Sequence, residues 1–297
     1  MILRFIISLI FLLTVGNTYG QTSPIVVTSI KPIHSIVSSL MNGVTEPELL
    51  LKSNSSAHTF HLKPSQIRMI SDAQLVITVD ENFEIGLKKA LKNIKLDSLL
   101  FITDIDDLKI YSSRDSIFEE QDEDKNINLD YHLWLSLDNV KKIAVGITSR
   151  LKDIDPSNGL TYDANLKKFI SKMDSLNLDL IKQLKPIQSK RIAVIDDTLQ
   201  YFEKGQMLKR PVIVAPYHGA RLSVKRTLEA KRMIKHLNIS CLVYGIDNSP
   251  NQVKALSEGL ALKASKIDIL GSEFSPGPDL YFNVMNQISS QIRSCLE

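Results

Sequence analysis

Residues 155–186 of the chain read DPSNGLTYDANLKKFISKMDSLNLDLIKQLKP. Asp155 followed by Pro156 is typical of a helix start, because Asp caps free backbone N–H groups and Pro fits the first helical turn. Apolar residues then recur every three or four positions until Pro186. The pattern predicts one helix of about 29 residues, roughly 43 Å long at 1.5 Å per residue. We expect this helix to link two halves of the chain.

Both halves alternate short apolar runs with helical patterns, which predicts parallel sheets flanked by helices. The predicted strands are 25–28, 49–51, 75–79 and 99–102 in the first half, and 191–195, 212–215, 241–244 and 267–270 in the second. The predicted helices include 30–41, 83–91, 138–151, 221–237 and 251–262. The expected fold is α/β, with two similar lobes joined by one long linker helix. The expected boundaries are a signal peptide at 1–20, an N-terminal lobe at 21–154 with an acidic loop at 112–130, the linker helix at 155–186, and a C-terminal lobe at 187–297.

The composition points to an exported globular protein. Lys plus Arg number 36 against 33 Asp plus Glu in 297 residues, a balance that does not indicate a nucleic-acid partner. Arg4 precedes a nearly continuous apolar run at 5–15, and small residues lie before Gln21, as in a cleaved secretory signal peptide. We find no other stretch that predicts a membrane span. The mature protein is therefore expected to be exported and not to span the membrane.

The two cysteines, Cys241 and Cys295, would enter an oxidising compartment after export. A disulfide is the expected outcome there, whereas two thiols this far apart without a CxxC motif make a poor metal site. We expect a structural disulfide that contributes roughly 4 kcal/mol by restricting the unfolded chain.

A histidine-bearing loop follows the predicted strand at 49–51. Residues 55–65 read SSAHTFHLKPS and contain two of the six histidines, His58 and His61. Loops at strand ends are where open α/β sheets present ligand-binding groups, and imidazole is the commonest protein metal ligand. Taken alone, the loop is equally compatible with two surface histidines.

Three further groups lie in comparable positions. His132 is two residues from the only tryptophan, just after an acidic run at 119–124, and Asp196 and Asp268 lie at or near ends of predicted strands. With His58 they form two imidazoles and two carboxylates, which can complete a four-coordinate zinc site. Two come from each half, so a metal ion would bridge the lobes. The acidic run is typical of a solvated segment and could also attract divalent cations weakly.

The sequence resembles the metal-specific solute-binding proteins of ABC importers, most closely the periplasmic zinc-uptake branch. The resemblance extends over essentially the whole mature chain. Its markers are TSIKPIHSIV at 28–37, AHTFHLKPS at 57–65, HLWLS at 132–136, YFE at 201–203, DILG at 268–271 and PGPDLY at 276–281. The two cysteines also match a C-terminal disulfide of that branch.

The resemblance implies a protein that binds a divalent metal ion between its lobes and delivers it to an ABC permease, without catalysis and as a monomer. The implied ligands are His58, His132, Asp196 and Asp268, with His61 as a possible auxiliary ligand. The expected ion is Zn²⁺, with Mn²⁺ or Fe²⁺ as alternatives, because zinc members typically have histidine where this chain has Asp196. A carboxylate at position 196 makes the set of ligands harder, which lowers the preference for Zn²⁺ relative to Mn²⁺ or Fe²⁺.

The chain departs from the family pattern in two further places. The chain has Gly245-Ile246-Asp247 where the family commonly has Glu-Pro-Gln, and its acidic run stands where zinc members often have a His-rich loop.

A metal-dependent hydrolase is the competing hypothesis from another class, although the chain has neither an HExxH nor a GxSxG motif. A surface adhesin or a periplasmic metal buffer of the same ancestry is a third.

Overall fold

The computed structural model describes residues 23–52, 60–114, 129–215 and 222–297. The predicted signal peptide, His58 and the acidic run at 119–124 lie outside these residues. The described chain forms two α/β lobes with a long helix between them, so the predicted fold class is confirmed.

The N-terminal lobe is built on a four-stranded parallel sheet. Its strands are β1 (Val26–Thr28), β2 (Glu48–Leu49), β3 (Leu75–Thr78) and β4 (Leu99–Phe101), in the order β2-β1-β3-β4. Helices α1 (Lys31–Leu40), α2 (Pro64–Asp72) and the single turn α3 (Lys88–Leu91) accompany the sheet. Every residue of β1 and β3 is buried, which explains why the central strands are continuous apolar runs.

The predicted helix at 83–91 is confirmed only from residue 85 onward, and it is divided into two short pieces. A 3₁₀ turn at Ile85–Leu87 precedes the four-residue helix α3, and Glu84 before it has a non-helical backbone. The cause is local packing, because the Glu84 carboxylate turns inward and accepts a hydrogen bond from the backbone N–H of Val79 at 2.8 Å. Gly86 also lies against the Phe60 carbonyl, where a Cβ atom would be only 2.0 Å from the oxygen.

An antiparallel pair and two long helices follow. Strands β5 (Tyr111–Ser112) and β6 (Leu129–Asp130) pair with each other, and helix α4 (Leu137–Ile154) begins with the Ser136 side chain capping Asn139 N–H. The linker consists of a 3₁₀ turn at Pro156–Asn158, helix α5 (Gly159–Leu184) and a second 3₁₀ turn at Lys185–Ile187. The predicted apolar stripe of the linker is buried, including Tyr162, Phe169, Met173, Leu180 and Leu184.

The C-terminal lobe repeats the sheet topology of the first lobe. Strands β7 (Ala193–Val194), β8 (Val212–Ile213), β9 (Cys241–Gly245) and β10 (Lys263–Ile267) are parallel, in the order β10-β9-β7-β8. The helices are α6 (Gln200–Gly205), α7 (Val224–His236), α8 (Pro250–Ser257) and α9 (Leu280–Leu296).

The predicted strand at 267–270 is displaced in the structure. The strand β10 ends at Ile267, so Asp268 is the first residue after it. An apolar run predicts a buried strand, whereas β10 lies at the sheet edge and has exposed lysines beside its buried residues.

A disulfide joins two elements of the C-terminal lobe, and a shared hydrophobic core joins the two lobes. Cys241 in β9 and Cys295 in α9 form a disulfide, as predicted. Helix α9 of the C-terminal lobe packs against both α1 and α5, and one hydrophobic core cluster contains residues of both lobes and the linker. None of the helices in the described ranges is long and apolar enough to cross a membrane.

Candidate metal centre

His132 is held by a carboxylate two residues before it. It is 8% exposed and precedes a 3₁₀ turn at Leu133–Leu135, and its Nδ1 lies 2.8 Å from Asp130 Oδ1. The His132 ring also packs near those of Phe83 and Trp134, at centroid distances of 5.9 and 5.3 Å. A carboxylate on Nδ1 fixes the orientation of the ring, an arrangement that is found at many metal-binding histidines.

Asp130 is in turn held by the C-terminal lobe. Gln200 Nε2 donates to Asp130 Oδ2 at 3.0 Å, and the Tyr201 hydroxyl donates to the Asp130 carbonyl at 2.7 Å. Burial pushes the pKa of Asp130 upward, but hydrogen bonds from His132 and Gln200 outweigh burial and lower the pKa overall. The His132 side chain is thus positioned through a network that crosses between the lobes.

Asp268 lies in a tight loop that surrounds its carboxylate. It is 2% exposed, and its Oδ1 accepts hydrogen bonds from the N–H groups of Leu270 and Gly271, each at 3.0 Å. Its Oδ2 accepts from both the N–H and the hydroxyl of Ser272. Gly271 has φ +69, a left-handed conformation that favours glycine and lets the loop curl around the carboxylate.

The Asp268 loop contacts the segment that carries His132. Trp134 Nε1 donates to the Ile269 carbonyl at 3.0 Å, and the Tyr281 hydroxyl donates to the Trp134 carbonyl at 2.9 Å. Trp134 is two residues from His132, and Ile269 directly follows Asp268. One candidate ligand of each lobe is therefore brought to the same junction.

A lysine of the N-terminal lobe anchors the same loop. The Lys31 ammonium, in the first turn of α1, donates to the carbonyls of Ser272, Phe274 and Gly271 at 2.9, 3.1 and 3.3 Å. Burial lowers the pKa of Lys31, and the nearby Asp268 carboxylate opposes that shift. The Asp268 loop of the C-terminal lobe is therefore held by a side chain of the N-terminal lobe.

Asp196 lies just beyond strand β7 and is 7% exposed. Its Oδ2 accepts a hydrogen bond from Asn248 Nδ2 at 2.6 Å.

The residue after Asp196 is bound by the N-terminal lobe. Asp197 is paired with Arg114, whose Nη2 and Nε lie 2.6 and 2.7 Å from the two carboxylate oxygens. Arg114 Nη2 also lies 2.7 Å from Glu203 Oε2. Burial by itself would lower the pKa of Arg114, but the hydrogen bonds to Asp197 and Glu203 outweigh burial and raise the pKa overall.

The structure places His132, Asp196 and Asp268 around the lobe junction without gathering them into one cluster. Among the side chains of residues 23–52, 60–114, 129–215 and 222–297, no three His, Cys, Asp or Glu groups lie close enough together to hold a metal ion. His58, the fourth predicted ligand, lies outside those ranges. His61 is exposed, in the coil before α2. The predicted ligand set therefore stays a prediction.

Comparison with known proteins identifies the family. Residues 26–295 match the family model ZnuA, described as zinc-uptake complex component A, periplasmic. The chain belongs to the ZnuA family.

Relatives and solved structures agree with this assignment. The high-affinity zinc uptake system protein ZnuA of Brucella abortus is 28% identical, over 95% of this chain and 94% of the relative. A crystal structure of ZnuA matches with TM-score 0.78 and 20% identity, covering 92% of this chain and all of that one. The solute-binding protein FpvC of Pseudomonas aeruginosa, solved with Mn²⁺, matches with TM-score 0.79 and 16% identity, covering 93% and 99%. At these identities the two structures establish the shared fold.

Several residues that organise the lobe junction of this ZnuA-family chain escaped the sequence analysis. Asp130 could have been found, since a carboxylate two residues before a candidate histidine ligand is a natural outer partner. The partners Lys31, Arg114, Gln200 and Asn248 have no comparable local signal, because each acts on a residue more than 50 positions away in the sequence.

Proposed function

We propose that the protein is a periplasmic solute-binding protein that captures a divalent metal ion between its lobes and delivers it to an ABC permease. Its cargo is Zn²⁺. The observation that carries the proposal is the buried His132–Asp130 pair at the lobe junction, in a chain of the ZnuA family. A carboxylate bound to one imidazole nitrogen is the arrangement that prepares the other nitrogen for a metal ion.

The proposed ligands are His58 and His132 from the N-terminal lobe and Asp196 and Asp268 from the C-terminal lobe. Two nitrogen and two oxygen donors suit four-coordinate Zn²⁺. The same set is harder than one with three imidazoles, so Mn²⁺ or Fe²⁺ is the alternative cargo. The related FpvC was solved with Mn²⁺, which shows that this fold accommodates that ion.

The protein acts by binding and release, as a monomer. Capture needs ligands from both lobes to reach one ion, and the packing of α9 against α1 and α5 favours small relative movements of the lobes. Export through the signal peptide at 1–20 would place the mature chain in the periplasm, where the permease is accessible.

The decisive experiment is a competition for metal. Metal-free mature protein is dialysed against equimolar Zn²⁺ and Mn²⁺ at neutral pH, because metal ions bind neutral imidazole, and the bound ions are measured by mass spectrometry. One Zn²⁺ per chain is expected. Mostly Mn²⁺ would redirect the proposal to manganese uptake, and no bound metal would refute the proposal.

Delivery is tested separately in cells. Expression of the chain, together with its own permease, in a strain deficient in zinc uptake is expected to restore growth under zinc limitation. Tight binding without restored growth would indicate an adhesin or a metal buffer. Hydrolysis of ester or peptide substrates that depends on the bound metal would instead support an enzyme.

A further inference from the structure

Asn248 connects two places at which this chain differs from the pattern that its family resemblance implies. Its Oδ1 accepts a hydrogen bond from Gly245 N–H at 2.7 Å, and its Nδ2 donates to Asp196 Oδ2 at 2.6 Å. By that resemblance, Asp196 stands where zinc members typically have histidine, and Gly245 begins the segment that stands in place of Glu-Pro-Gln. The two departures are far apart in sequence and meet through one side chain.

The orientation of the Asn248 amide follows from its partners. A backbone N–H can only donate, so the atom facing Gly245 must be the amide oxygen. The amide NH₂ group then necessarily faces the carboxylate, which can only accept when ionised. Strands β7 and β9 are adjacent, with Val194 opposite Val243, so Asp196 and Gly245 lie at the same sheet edge, each two residues further on.

We propose that Asn248 is a specificity-determining positioning residue, which engages one oxygen of Asp196 so that the carboxylate offers a single oxygen to the metal ion and thereby favours Zn²⁺ over Mn²⁺. The inference rests on the proposed function, because it requires Asp196 to be a ligand. Asn248 acts through Asp196 and does not itself bind the ion.

The chemical reason is the difference in coordination between the two ions. Zn²⁺ is satisfied by four ligands, whereas Mn²⁺ suits octahedral sites rich in oxygen donors. A carboxylate that can turn both oxygens to the ion raises the coordination number and adds oxygen character. Replacing histidine with aspartate would by itself move the site toward Mn²⁺. The hydrogen bond from Asn248 opposes that shift by leaving Asp196 with one ligating oxygen, in the way that one imidazole nitrogen would ligate.

The test uses two substitutions of Asn248 and a remote control. Asn248→Asp keeps an acceptor for Gly245 N–H but removes the donor to Asp196, and Asn248→Ala removes both. Asn286→Ala, on the exposed face of α9, deletes an amide that donates to the Phe282 carbonyl and serves as the matched control. The dissociation constants of Zn²⁺ and Mn²⁺ are measured for each full-length mature protein by chelator competition.

Both Asn248 variants are expected to lower the ratio of Zn²⁺ to Mn²⁺ affinity by roughly tenfold or more, the usual worth of a hydrogen bond to a charged group. Asn286→Ala should leave the ratio unchanged. X-ray absorption spectroscopy on the Mn²⁺-loaded proteins should show a larger number of oxygen ligands in Asn248→Ala than in the parent. A purely structural role of Asn248 would not move this number.

A double-substitution cycle shows whether Asn248 acts through Asp196. In an Asp196→Ala background, Asn248→Ala is expected to leave the affinity ratio where it is, because the group that it positions is gone. An equal change in both backgrounds would overturn the inference, as would an unchanged ratio in the two single variants of a parent that binds one ion. A parent that binds no metal at all would instead refute the proposed function on which the inference rests.

Discussion

The two lobes have the same strand order but contribute different chemistry to their junction. In the C-terminal lobe the candidate ligands Asp196 and Asp268 come directly after or just beyond β7 and β10, where parallel sheets usually present ligand groups. In the N-terminal lobe the described candidate, His132, lies away from the parallel sheet, after the short strand β6. The sheet topology is repeated, but the described candidate ligands are not at equivalent positions, because the two carboxylates follow parallel strands and the imidazole lies outside the parallel sheet.

The lobes also differ in how the segments that carry the candidate ligands are supported, although each lobe's segments receive contacts from the opposite lobe. The N-terminal imidazole depends on a carboxylate, Asp130, which Gln200 of the other lobe holds in place. The C-terminal loops are contacted by cations of the N-terminal lobe, because Arg114 pairs with Asp197, the residue after Asp196, and Lys31 donates to the Asp268 loop. The side chains that position the candidate ligands come from both lobes, so the arrangement requires the two lobes to be assembled.

Deleting one ligand from each lobe is the strongest challenge to this comparison. His132→Ala and Asp268→Ala are each expected to weaken Zn²⁺ binding by more than a hundredfold, beyond the roughly 10–100-fold typical of losing an outer partner. The physical reason is that each lobe supplies donors that the other cannot replace. Chelator competition at neutral pH measures both constants.

Exposed residues of the same types provide the controls. His236→Ala, at the end of α7, and Asp279→Ala, before α9, remove an exposed imidazole and an exposed carboxylate and should leave the affinity unchanged. Parent-like binding by both His132→Ala and Asp268→Ala would show that the site lies elsewhere.

The outer support of His132 should have the next largest effect. Asp130→Ala is expected to lower Zn²⁺ affinity roughly 10–100-fold, because the imidazole loses the carboxylate that orients it. Isothermal titration or chelator competition measures the change.

Tyr201→Phe separates orientation from structural support. It removes the hydroxyl that donates to the Asp130 carbonyl but keeps the Asp130 carboxylate on His132. If Tyr201→Phe weakened binding as much as Asp130→Ala, the carboxylate would have no special role in positioning the ring.

Two buried glutamates extend the comparison to stability. Glu203 of the C-terminal lobe is paired with Arg114, whereas Glu84 of the N-terminal lobe is bonded by neutral donors, including the Thr78 hydroxyl and the Val79 N–H. Burial raises the pKa of Glu84 from 4.5 to about 7. Between these values the folded state holds a proton that the unfolded state has lost, so the contribution of Glu84 to stability decreases as pH rises toward 7.

The smallest predicted effect follows from the decrease in the stabilising contribution of Glu84 as pH rises. Between pH 5.5 and 6.5, metal-free parent is expected to lose about 1 kcal/mol of unfolding free energy relative to Glu84→Gln, which carries no titrating group at that position. Urea denaturation of both proteins across this pH range measures the difference. Parallel pH profiles for the two proteins would contradict the prediction.

Much of the fold follows from local patterns, and the exceptions have identifiable causes. The buried strands β1 and β3, the linker stripe from Tyr162 to Leu184 and the cysteine pair were all recognisable from residue types and spacing. Strand β10 was misplaced because an edge strand with lysines lacks an apolar run. The helix predicted at 83–91 forms only from residue 85, because the Glu84 carboxylate accepts a hydrogen bond from Val79 N–H that helical periodicity does not reveal.

The sequence by itself determined the two-lobed α/β plan, the linker helix, the disulfide and the family, because these depend on periodicity, residue type and motifs along the chain. Only the tertiary structure decided which groups hold the candidate ligands. Asp130 on His132, Lys31 on the Asp268 loop and Asn248 on Asp196 are hydrogen bonds whose partners, apart from the first, lie far apart in sequence. The contacts of Lys31 and Asn248 depend on distance and direction in the folded protein, and no local pattern of residues encodes them.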